Sequence, residues 1–373
     1  MEILILAPYP IGEAPSQRFR FEQYLPILRR ENIEYKYVPF LSLATWSILH
    51  KPGNVLKKAI GVIAAFLNRF ILILSVYKYD FVFIHREASH IGPPIFEWII
   101  AKVFNKKIIY DFDDAIWMPN YSEHNKAFNK LKYYKKVNDI MKWSYKVSAG
   151  NAYLAKYASQ YNPNVIINPT TIDAETHHNK IKNQHEGKVV IGWTGTLTTS
   201  KYLHELVPVI KELEKNYDFV FRVISNENPN LSLKSFEFVQ WRKESEIEDL
   251  LSFHVGVMPL KADKWSEGKC GFKALQYMAL GMPALVSPVG VNKDIVAHGR
   301  NGFICDTYTD WLLYLEKLIN DAVLRSMLGK AARKTIEEKY SVKANTNTFL
   351  GLFDEKYLKE NKKNEYLHTK KAL

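Results

Sequence analysis

Short runs of consecutive apolar residues, each followed by a helix-length segment, constrain the fold of this chain more than any other feature. Such runs suit strands that are covered on both faces, and their alternation with helical segments predicts α/β units with parallel sheets. The predicted strands are Ile3–Ala7, Phe81–Ile84, Lys107–Tyr110, Val165–Ile167, Val189–Ile191, Phe219–Val223, Val255–Met258 and Ala284–Ser287. Helical patterns fall at residues 16–31, 91–104, 126–144, 201–215, 245–252, 270–281 and 310–322.

The polar segment 176–188 divides this pattern into two halves of similar architecture. It has little apolar periodicity, which is typical of a connection between domains. The sequence therefore predicts one domain over residues 1–175 and a second over residues 188–340. Residues 341–373 are expected to form a closing helix and a basic tail that pack back on the first domain. A chain of 373 residues is long enough for two domains.

The chain is basic, with a net charge of +12, which implies an acidic partner. Residues 1–186 hold 24 Lys and Arg against 16 Asp and Glu, so the excess is larger in the first half. Nucleic acid is not the expected partner, because zinc-finger spacing and RNA-binding aromatic signatures are absent. Two cysteines, Cys270 and Cys305, cannot form a disulfide framework, which favours the cytoplasm. The first residues, MEILILAP, predict a buried strand and not a signal peptide.

Residues 55–76 are apolar enough to suggest a membrane span, but Lys57, Lys58, Asn68 and Arg69 interrupt them. The sequence therefore predicts no transmembrane helix here. Three alternatives stay open, namely an amphipathic helix on the protein body, a helix in the membrane interface and a helix packed in the core. With the basic first half, this stretch leads us to expect peripheral contact with an anionic membrane, at the inner face of the plasma membrane.

Two segments of the second half carry the chemistry of a phosphate site. In residues 189–203 a strand leads through Gly192 and Gly195 to a Thr/Ser-rich turn and a helix start, with Lys201 in the first turn. Glycine turns let the backbone approach phosphate, and helix starts offer N–H donors. In the helix at 270–281, Lys269, Lys273 and Gln276 share one stripe, which suits a diphosphate and a ribose hydroxyl.

The run from Trp265 to Val296 resembles the donor-binding signature of glycosyltransferase group 4, whose fold is called GT-B. The residues that carry the resemblance are the Met-Ala-x-Gly-x-Pro turn at 278–283, Ser-Pro-Val-Gly at 287–290 and Gly-Arg-Asn-Gly-Phe at 299–303. The likeness extends from the first strand to about Tyr340. It implies two Rossmann-like, doubly wound parallel-sheet domains that face each other across a cleft.

The chain departs from the family pattern in its donor residues. Gln276 stands where the second glutamate of the family's E-x7-E pair is expected, and Gly268, beside Glu267, stands at the first. Thr196 replaces the arginine of G-R-L-x-x-x-K, and Lys201 keeps the lysine. An amide still hydrogen-bonds a hydroxyl, but it carries no charge. The sequence therefore resembles a divergent subgroup with G-K-C-x-F-K-x-x-Q-Y-M in place of the glutamate pair.

The resemblance implies a retaining transfer from a UDP- or GDP-sugar to a glycan or lipid-linked acceptor, as in surface polysaccharide or glycolipid biosynthesis. It implies no metal or other cofactor. Lys201 and Lys269 would stabilise the leaving diphosphate, with the base near Gln240 and Trp241. The expected donor-binding residues are Gly12, Gly195, Thr196, Lys201, Gln240, Trp241, Glu267, Gly268, Lys269, Cys270, Gly271, Phe272, Lys273 and Gln276.

Charged clusters follow three predicted strands of the first half. Such clusters lie at the rim of an α/β active site, where the carboxyl ends of the strands meet. Arginine forks also match phosphate oxygens. Asp113 and Asp114 are expected in an acid/base or acceptor-contacting role, and structural capping is the alternative. The expected acceptor-binding residues are Arg18, Arg20, His85, Arg86, Glu87 and Asp111.

Two other functions compete with a transferase. A nucleotide-sugar epimerase of the same fold would act on the donor alone. A non-catalytic subunit would keep the fold and lose the leaving-group contacts, and the missing arginine and glutamate give that alternative weight. A dinucleotide oxidoreductase is disfavoured, because Ala7-Pro8-Tyr9-Pro10 stands where G-x-G-x-x-G would follow the first strand.

Overall fold

The computed structural model describes residues 1–49, 51, 53–119 and 132–357. The chain forms two compact units. The first joins Met1–Thr170 to the C-terminal segment that starts at Asn345, and the second comprises Thr171–Ala344. Residues 126–131 of one predicted helix, and 358–373 of the predicted basic tail, lie outside the described residues.

The first unit is built on a parallel sheet of six strands in the order β2-β1-β3-β4-β5-β6. The side chains of β3 and β5 are buried throughout, and those of β1 and β4 are buried except at the first residue. Burial on both faces is what continuous apolar runs require. The strands are β1 Glu2–Ala7, β2 Glu34–Pro39, β3 Phe81–His85, β4 Lys107–Phe112, β5 Lys146–Ala149 and β6 Val165–Ile167.

The second unit repeats this architecture with strand order β12-β11-β10-β7-β8-β9, again all parallel. Its core lies between the sheet and the helices that cover it, with Trp193, Phe221 and Leu315 fully buried. The strands are β7 Val190–Gly195, β8 Val220–Ser225, β9 Phe236–Gln240, β10 Val255–Met258, β11 Ala284–Val286 and β12 Gly302–Ile304.

Helices connect the strands of both sheets. In the first unit they are α1 Pro15–Arg18, α2 Leu25–Arg30, α3 Leu43–Leu49, α4 Val55–Ile73, α5 Ile95–Trp98, α6 Lys136–Trp143 and α7 Ala152–Ala158. In the second unit they are α8 Leu197–Ser200, α9 Val207–Leu213, α10 Glu246–Leu251, α11 Lys264–Glu267, α12 Phe272–Ala279, α13 Asn292–Ile295, α14 Tyr308–Asn320 and α15 Ala322–Thr335. The last helix, α16 Val342–Leu350, leads from the second unit back to the first.

Shorter turns of other helix types complete the pattern. They are the 3₁₀ segments Glu22–Tyr24, Val76–Lys78 and Lys201–Glu205, and the π segments Ile99–Val103 and Ile336–Tyr340.

The α/β class with two parallel sheets is confirmed, and each of the eight strands predicted from apolar runs is present with small shifts in its bounds. Two predicted helices, 16–31 and 201–215, are instead broken into short pieces. Each contains a proline, Pro26 and Pro208, that lies in the first turn of a new helix. Proline has no N–H to donate to the preceding turn, so a helix starts there more easily than it continues.

Both sheets have a topological switch point next to their first strand. From β1 the chain moves to β2 on one side and then returns to β3 on the other side. In the second sheet the chain moves from β7 outward to β9 and returns to β10 on the opposite side of β7. Ligands of doubly wound sheets bind at such points, beyond the carboxyl ends of the strands. A ligand site is therefore expected at the loops after β1 and β3 and at those after β7 and β10.

Candidate functional site

The turn after β7 is shaped for close approach of its backbone. A Cβ atom on Gly195 would lie 2.5 Å from the indole of Trp193 and 2.9 Å from Cε of Lys273, so no larger side chain fits. A Cβ atom on Gly192 would overlap the ring of Phe253. Both glycines were expected to serve a phosphate turn, and the structure gives each a packing reason as well.

The helix start that follows this turn has fewer free N–H groups than the sequence led us to expect. Thr196 caps α8 in a capping box with Thr199, whose hydroxyl accepts from the Thr196 N–H. The next N–H, that of Leu197, donates to Oδ1 of Asn226 at 2.9 Å. The positive end of this short helix is thus largely satisfied within the protein, and a bound anion would depend on the neighbouring lysines.

Three lysines surround the switch point of the second sheet, and each lies close to an aromatic ring. The ammonium nitrogens are 5.2 Å from the Tyr202 ring for Lys201, 5.8 Å from the Trp265 ring for Lys269 and 5.4 Å from the Trp193 ring for Lys273. Lys201 is exposed, and the other two lysines are half-buried. A cation near the face of an aromatic ring is attracted by the quadrupole of the ring.

Two long-range hydrogen bonds bring the loops after β7 and β10 together. The Tyr202 hydroxyl lies 3.3 Å from the Ser266 hydroxyl, which links the segment after α8 to α11. The backbone N–H of Thr194, near the end of β7, donates to the Tyr277 hydroxyl on α12 at 3.0 Å. These bonds bring the segment that contains Gly195, Thr196 and Lys201 next to the segment that contains residues 267–276.

Gln276 occupies the most unusual position of this group. It is only 1% exposed, and its Nε2 finds no hydrogen-bond partner among the described residues. An unpaired buried amide costs free energy, so such a group in a folded protein asks for an explanation. A ligand hydroxyl or phosphate oxygen that accepts from Nε2 would supply one.

The other residues of this run shape the loop and the start of α12. Gly271, at the N-cap of α12, has a φ of 69°, and a Cβ atom there would clash with Ile295. Both the backbone conformation and the lack of space therefore favour glycine at this position. Gly268 and Cys270 are buried, and Glu267 and Phe272 are half-buried. A Cβ atom on Gly290 would lie 2.8 Å from the Glu267 carbonyl, so the next loop packs directly on this one.

Gln240 and Trp241 lie at the end of the edge strand β9, two strands from β7. At the usual strand spacing, β9 lies roughly 10 Å from β7. Gln240 donates from Nε2 to the Asn226 carbonyl at 2.9 Å, and the Trp241 N–H donates to the Ser225 carbonyl. Asn226, which no sequence motif marked, thus connects this region to the turn at Leu197.

At the switch point of the first sheet, Arg86 is held by two carboxylates. It has a φ of 59°, which is uncommon for a side chain of this size. Its guanidinium donates to Asp113 at 2.6 and 2.9 Å and to Asp114 at 2.7 Å. Burial alone would lower the pKa of Arg86, but Asp113 and Asp114 more than offset it and raise that pKa. The three predicted residues therefore form one cluster with its charges paired.

A second ion pair adjoins this cluster. The Glu87 carboxylate binds the Lys136 ammonium at 2.8 Å, and Lys136 also donates to the Ser89 carbonyl. A small cavity next to both pairs is lined by Pro8, Tyr9, Arg86, Glu87, Ile116, Lys132, Tyr134, Lys136 and Val137. It lies beside the loops after β1 and β3, where the topology places a ligand crevice.

Arg20, His85 and Asp111 form a network below this rim, and all three side chains are buried. Arg20 binds the Asp111 carboxylate and the Asn168 carbonyl, and Nδ1 of His85 lies 2.8 Å from Asp111. Burial would raise the pKa of Asp111, but the Arg20 charge and the His85 contact lower it overall. These polar groups face one another, so the structure does not present them to solvent as it does Arg86.

The remaining predicted residues lie around the loop after β1. Gly12 has a φ of 80°, and its N–H donates to Glu22 at 2.8 Å. Arg18 is half-buried, with its guanidinium 5.0 Å from the ring of Phe19. Within the described ranges no cluster of three or more His, Cys, Asp or Glu side chains is arranged to hold a metal ion.

Part of the chain matches known proteins in sequence. Residues 174–335 match the family described as "Glycosyl transferases group 1". The chain is 27% identical over 176 residues to the capsular polysaccharide biosynthesis glycosyltransferase CapM of Staphylococcus aureus, an alignment that covers 45% of each protein. The chain thus spans less than half the length of that curated relative.

Solved structures resemble the whole chain. Sucrose-phosphate synthase from Thermosynechococcus elongatus has a TM-score of 0.71 at 13% identity, with 96% of this chain and 99% of that one covered. Anabaena HepE in complex with UDP-glucose has a TM-score of 0.62 at 13% identity, with 94% and 99% covered. At this identity the likeness shows the fold alone. The two parallel six-stranded sheets and these neighbours are consistent with the expected GT-B class. Residues 174–335 therefore match the group 1 glycosyl transferases, which supports a transferase enzyme.

Proposed function

We propose that this protein is a retaining glycosyltransferase that moves a sugar from a UDP- or GDP-sugar to a glycan or lipid-linked acceptor. The observation that carries the proposal is the group of Lys201, Lys269, Lys273 and the unpaired Gln276 amide at the switch point of the second sheet. Three cations suit a diphosphate, and a buried amide donor suits a hydroxyl. HepE, which has a similar fold, was solved with UDP-glucose, and this favours the same donor class.

The reaction that fits this site is a substitution on one face of the sugar. The bond between the anomeric carbon and the diphosphate oxygen breaks through an oxocarbenium-like state. The acceptor oxygen bonds to the same carbon, and its proton passes to the departing diphosphate. The lysines stabilise the charge that develops on the leaving group, which is an electrostatic contribution to catalysis. We propose that no metal takes part, because three ammonium groups supply the positive charge.

On the acceptor side, the cavity beside Arg86 and Glu87 is the site we propose. Asp113 and Asp114 hold Arg86 in place, and the arginine side chain is 22% exposed, so this arginine would contact the acceptor. The relative CapM is named for capsular polysaccharide biosynthesis, which favours an acceptor in a surface polysaccharide pathway. We place the protein in the cytoplasm, with peripheral contact at the inner face of the plasma membrane.

A panel of nucleotide-sugars tests the donor site. The purified protein is heated with UDP-, GDP- and other nucleotide-sugars, with and without EDTA, and the gain in melting temperature is followed. We expect one nucleotide to raise the melting temperature in both conditions. The gain should be lost in Lys201→Ala and Lys269→Ala variants and kept in Lys211→Ala, an exposed lysine of the same unit.

The possible results of this panel separate the competing functions. No gain with any nucleotide would contradict the donor site and favour a non-catalytic subunit. A gain followed by conversion of the donor to another sugar nucleotide without acceptor would indicate an epimerase. A gain that EDTA abolishes would contradict the proposal that no metal takes part.

A further inference from the structure

Helix α4 of the first unit exposes a long apolar stripe. The helix has 19 residues and is therefore about 28 Å long. With 100° between successive residues, the outer apolar side chains fall in a sector about 160° wide, which is one continuous face. The large apolar side chains exposed along it are Val55, Leu56, Ile60, Ile63, Leu67, Phe70, Ile71 and, just past its end, Leu74.

The opposite face of α4 packs against the rest of the first unit, so the apolar stripe stays exposed. Ala65, Arg69, Leu72 and Ile73 are buried. Arg69 donates to the Ala88 carbonyl at 3.1 Å and to the Val38 carbonyl at 3.3 Å, and burial lowers its pKa to about 10. Gly61 lies so close to Thr45 of α3 that no side chain fits between them. The helix is thus apolar on both faces, and only one face is covered.

The sequence around the stripe is basic and contains no acidic residue. Residues 35–79 contain five lysines and one arginine and no Asp or Glu. Lys51 and Lys57 are exposed near the start of α4, and Lys78 is exposed beyond its end. Lysines at the rim of an apolar helix face attract anionic lipid headgroups, while the apolar side chains enter the acyl boundary.

A neighbouring helical segment adds exposed apolar groups. Phe70 of α4 packs against Phe96 of α5, with ring centroids 4.8 Å apart. In and just after α5 the chain exposes Ile95, Trp98 and Val103, with Lys102 among them. Among the described residues no helix is both long and apolar enough to cross a bilayer. A contact along the surface of the membrane is therefore the mode that fits α4.

We propose that α4 docks on an anionic lipid bilayer, with its apolar stripe in the interface and Lys51, Lys57 and Lys78 at the headgroups. A second copy of the chain is the less favourable occupant, because pairing two such surfaces would bring like charges together. This proposal rests on the proposed function in one respect, namely that the acceptor is at the membrane. Binding of α4 to the bilayer itself requires none of the donor-binding residues. It would hold the acceptor cavity beside Arg86 near the membrane that carries a lipid-linked acceptor.

Vesicle flotation tests this docking with a matched pair of variants. Ile63 and Leu67 are 60% and 59% exposed on α4, and Val323 and Met327 are 71% and 57% exposed at the same i, i+4 spacing on α15. Full-length protein should float with vesicles of phosphatidylglycerol and phosphatidylcholine at low salt. Ile63→Ser with Leu67→Ser should weaken binding at least tenfold, and Val323→Ser with Met327→Ser should not change it.

A second pair of variants tests how much the lysines near α4 contribute to vesicle binding. Lys51→Gln with Lys57→Gln should weaken binding to anionic vesicles about tenfold, whereas Lys211→Gln with Lys330→Gln, exposed on the second unit, should have little effect. Wild-type binding that is equal on neutral vesicles, or unchanged by the α4 serines, would overturn the proposal. So would a dimer in solution that the α4 serines convert to a monomer.

The nucleotide-induced gain in melting temperature, measured without vesicles, distinguishes the two proposals. It should be the same in the α4 serine variant as in the wild type. Loss of vesicle binding with that gain intact supports the docking surface. A protein that binds vesicles but no nucleotide would overturn the proposed function and leave the docking in place.

Discussion

At the switch point of the first sheet, the charges are paired: Arg86 with Asp113 and Asp114, and Glu87 with Lys136. At the switch point of the second sheet, Lys201, Lys269 and Lys273 lie near aromatic rings. Ion pairs hold two opposite charges together, whereas an aromatic ring attracts a cation through its quadrupole. Two all-parallel sheets with different strand orders therefore place their charged residues in different surroundings.

This difference separates stability from binding. A buried ion pair is costly to break, because the remaining charge is left without a partner in a medium that solvates it poorly. A half-exposed lysine is still hydrated, so its removal costs little in the absence of ligand. We expect substitutions in the first cluster to lower the free energy of unfolding, and substitutions in the second to weaken nucleotide binding.

The largest effect is expected for Arg20→Ala. Its removal leaves the buried Asp111 carboxylate without its main partner, so the free energy of unfolding should fall by about 3–5 kcal/mol. Urea unfolding measures this, and Arg30→Ala, an exposed arginine of the same unit, should change it by less than about 0.5 kcal/mol. Equal effects of the two variants would show that the buried network does not carry the stability assigned to it.

Next in size is Lys273→Ala. Loss of one charged contact to a diphosphate should weaken nucleotide-sugar binding by about 1.5–3 kcal/mol, or roughly 10- to 100-fold. The free energy of unfolding without ligand should change by less than about 1 kcal/mol, because Lys273 is half-buried. Calorimetric titration measures the first quantity and urea unfolding the second. A loss of stability without a loss of affinity would show that Lys273 serves the fold and not nucleotide binding, which contradicts the difference drawn between the two sheets.

The strands of this fold could be predicted well, and the reason is physical. A strand buried on both faces must be apolar at every position, and such runs are visible in the sequence. Strands β2 and β5 are two of the four that this rule did not find, with β9 and β12. β2 (EYKYVP) is an edge strand with alternating exposure, and β5 (KVSA) has four residues and begins with a lysine whose Nζ reaches the Gly351 carbonyl.

The candidate site could be predicted only in part. Glycines and lysines at fixed spacing marked Gly195, Lys201 and Lys273, because the chemistry of phosphate demands those residue types. Asn226 and Tyr277 carried no such mark, since their hydrogen bonds to Leu197 and Thr194 span 29 and 83 residues and depend on the order of the strands.

The environment of helix α4 could not be predicted from the sequence either. Its sequence is apolar around much of its circumference, so periodicity left core, surface and membrane interface equally open. Only the packing of Arg69 and Leu72 tells which face is covered.

A smaller effect is expected for Gln276→Leu, which should leave stability unchanged or raise it and should weaken nucleotide-sugar binding. The leucine removes a buried amide whose Nε2 is unpaired among the described residues, so the free energy of unfolding should stay the same or rise by about 1 kcal/mol. Nucleotide-sugar binding should weaken about tenfold, because a hydrogen bond to the ligand is lost. Gln276→Asn, which keeps the amide but shortens its reach, is the matched control for polarity. Weakened binding together with clear destabilisation would mean that the amide serves the apo fold instead.

A further prediction concerns the pH dependence of stability in the two units. His254, in the second unit, accepts the Val190 N–H at Nδ1 and donates from Nε2 to the Glu186 carbonyl, so it is held neutral. Burial lowers the pKa of His254 to about 4, and burial lowers that of His90, in the first unit, to about 4 as well. Between pH 6.5 and 4 the unfolded chain therefore binds more protons at these two sites, and stability falls as the pH falls.

His254→Gln should flatten this pH dependence without removing it. Glutamine can accept from Val190 and donate to Glu186 but does not titrate, so the slope should fall by up to about 1.4 kcal/mol per pH unit, with the His90 part left. Urea unfolding at pH 7, 6 and 5 measures the slope, and His204→Gln, an exposed site, should leave it unchanged. The pKa of Asp111 is lowered below its ordinary value of 3.8, so its contribution persists until the pH falls below that value. If the slope between pH 7 and 5 were the same in both variants, the neutral histidine of the second unit would not be what responds to mild acid.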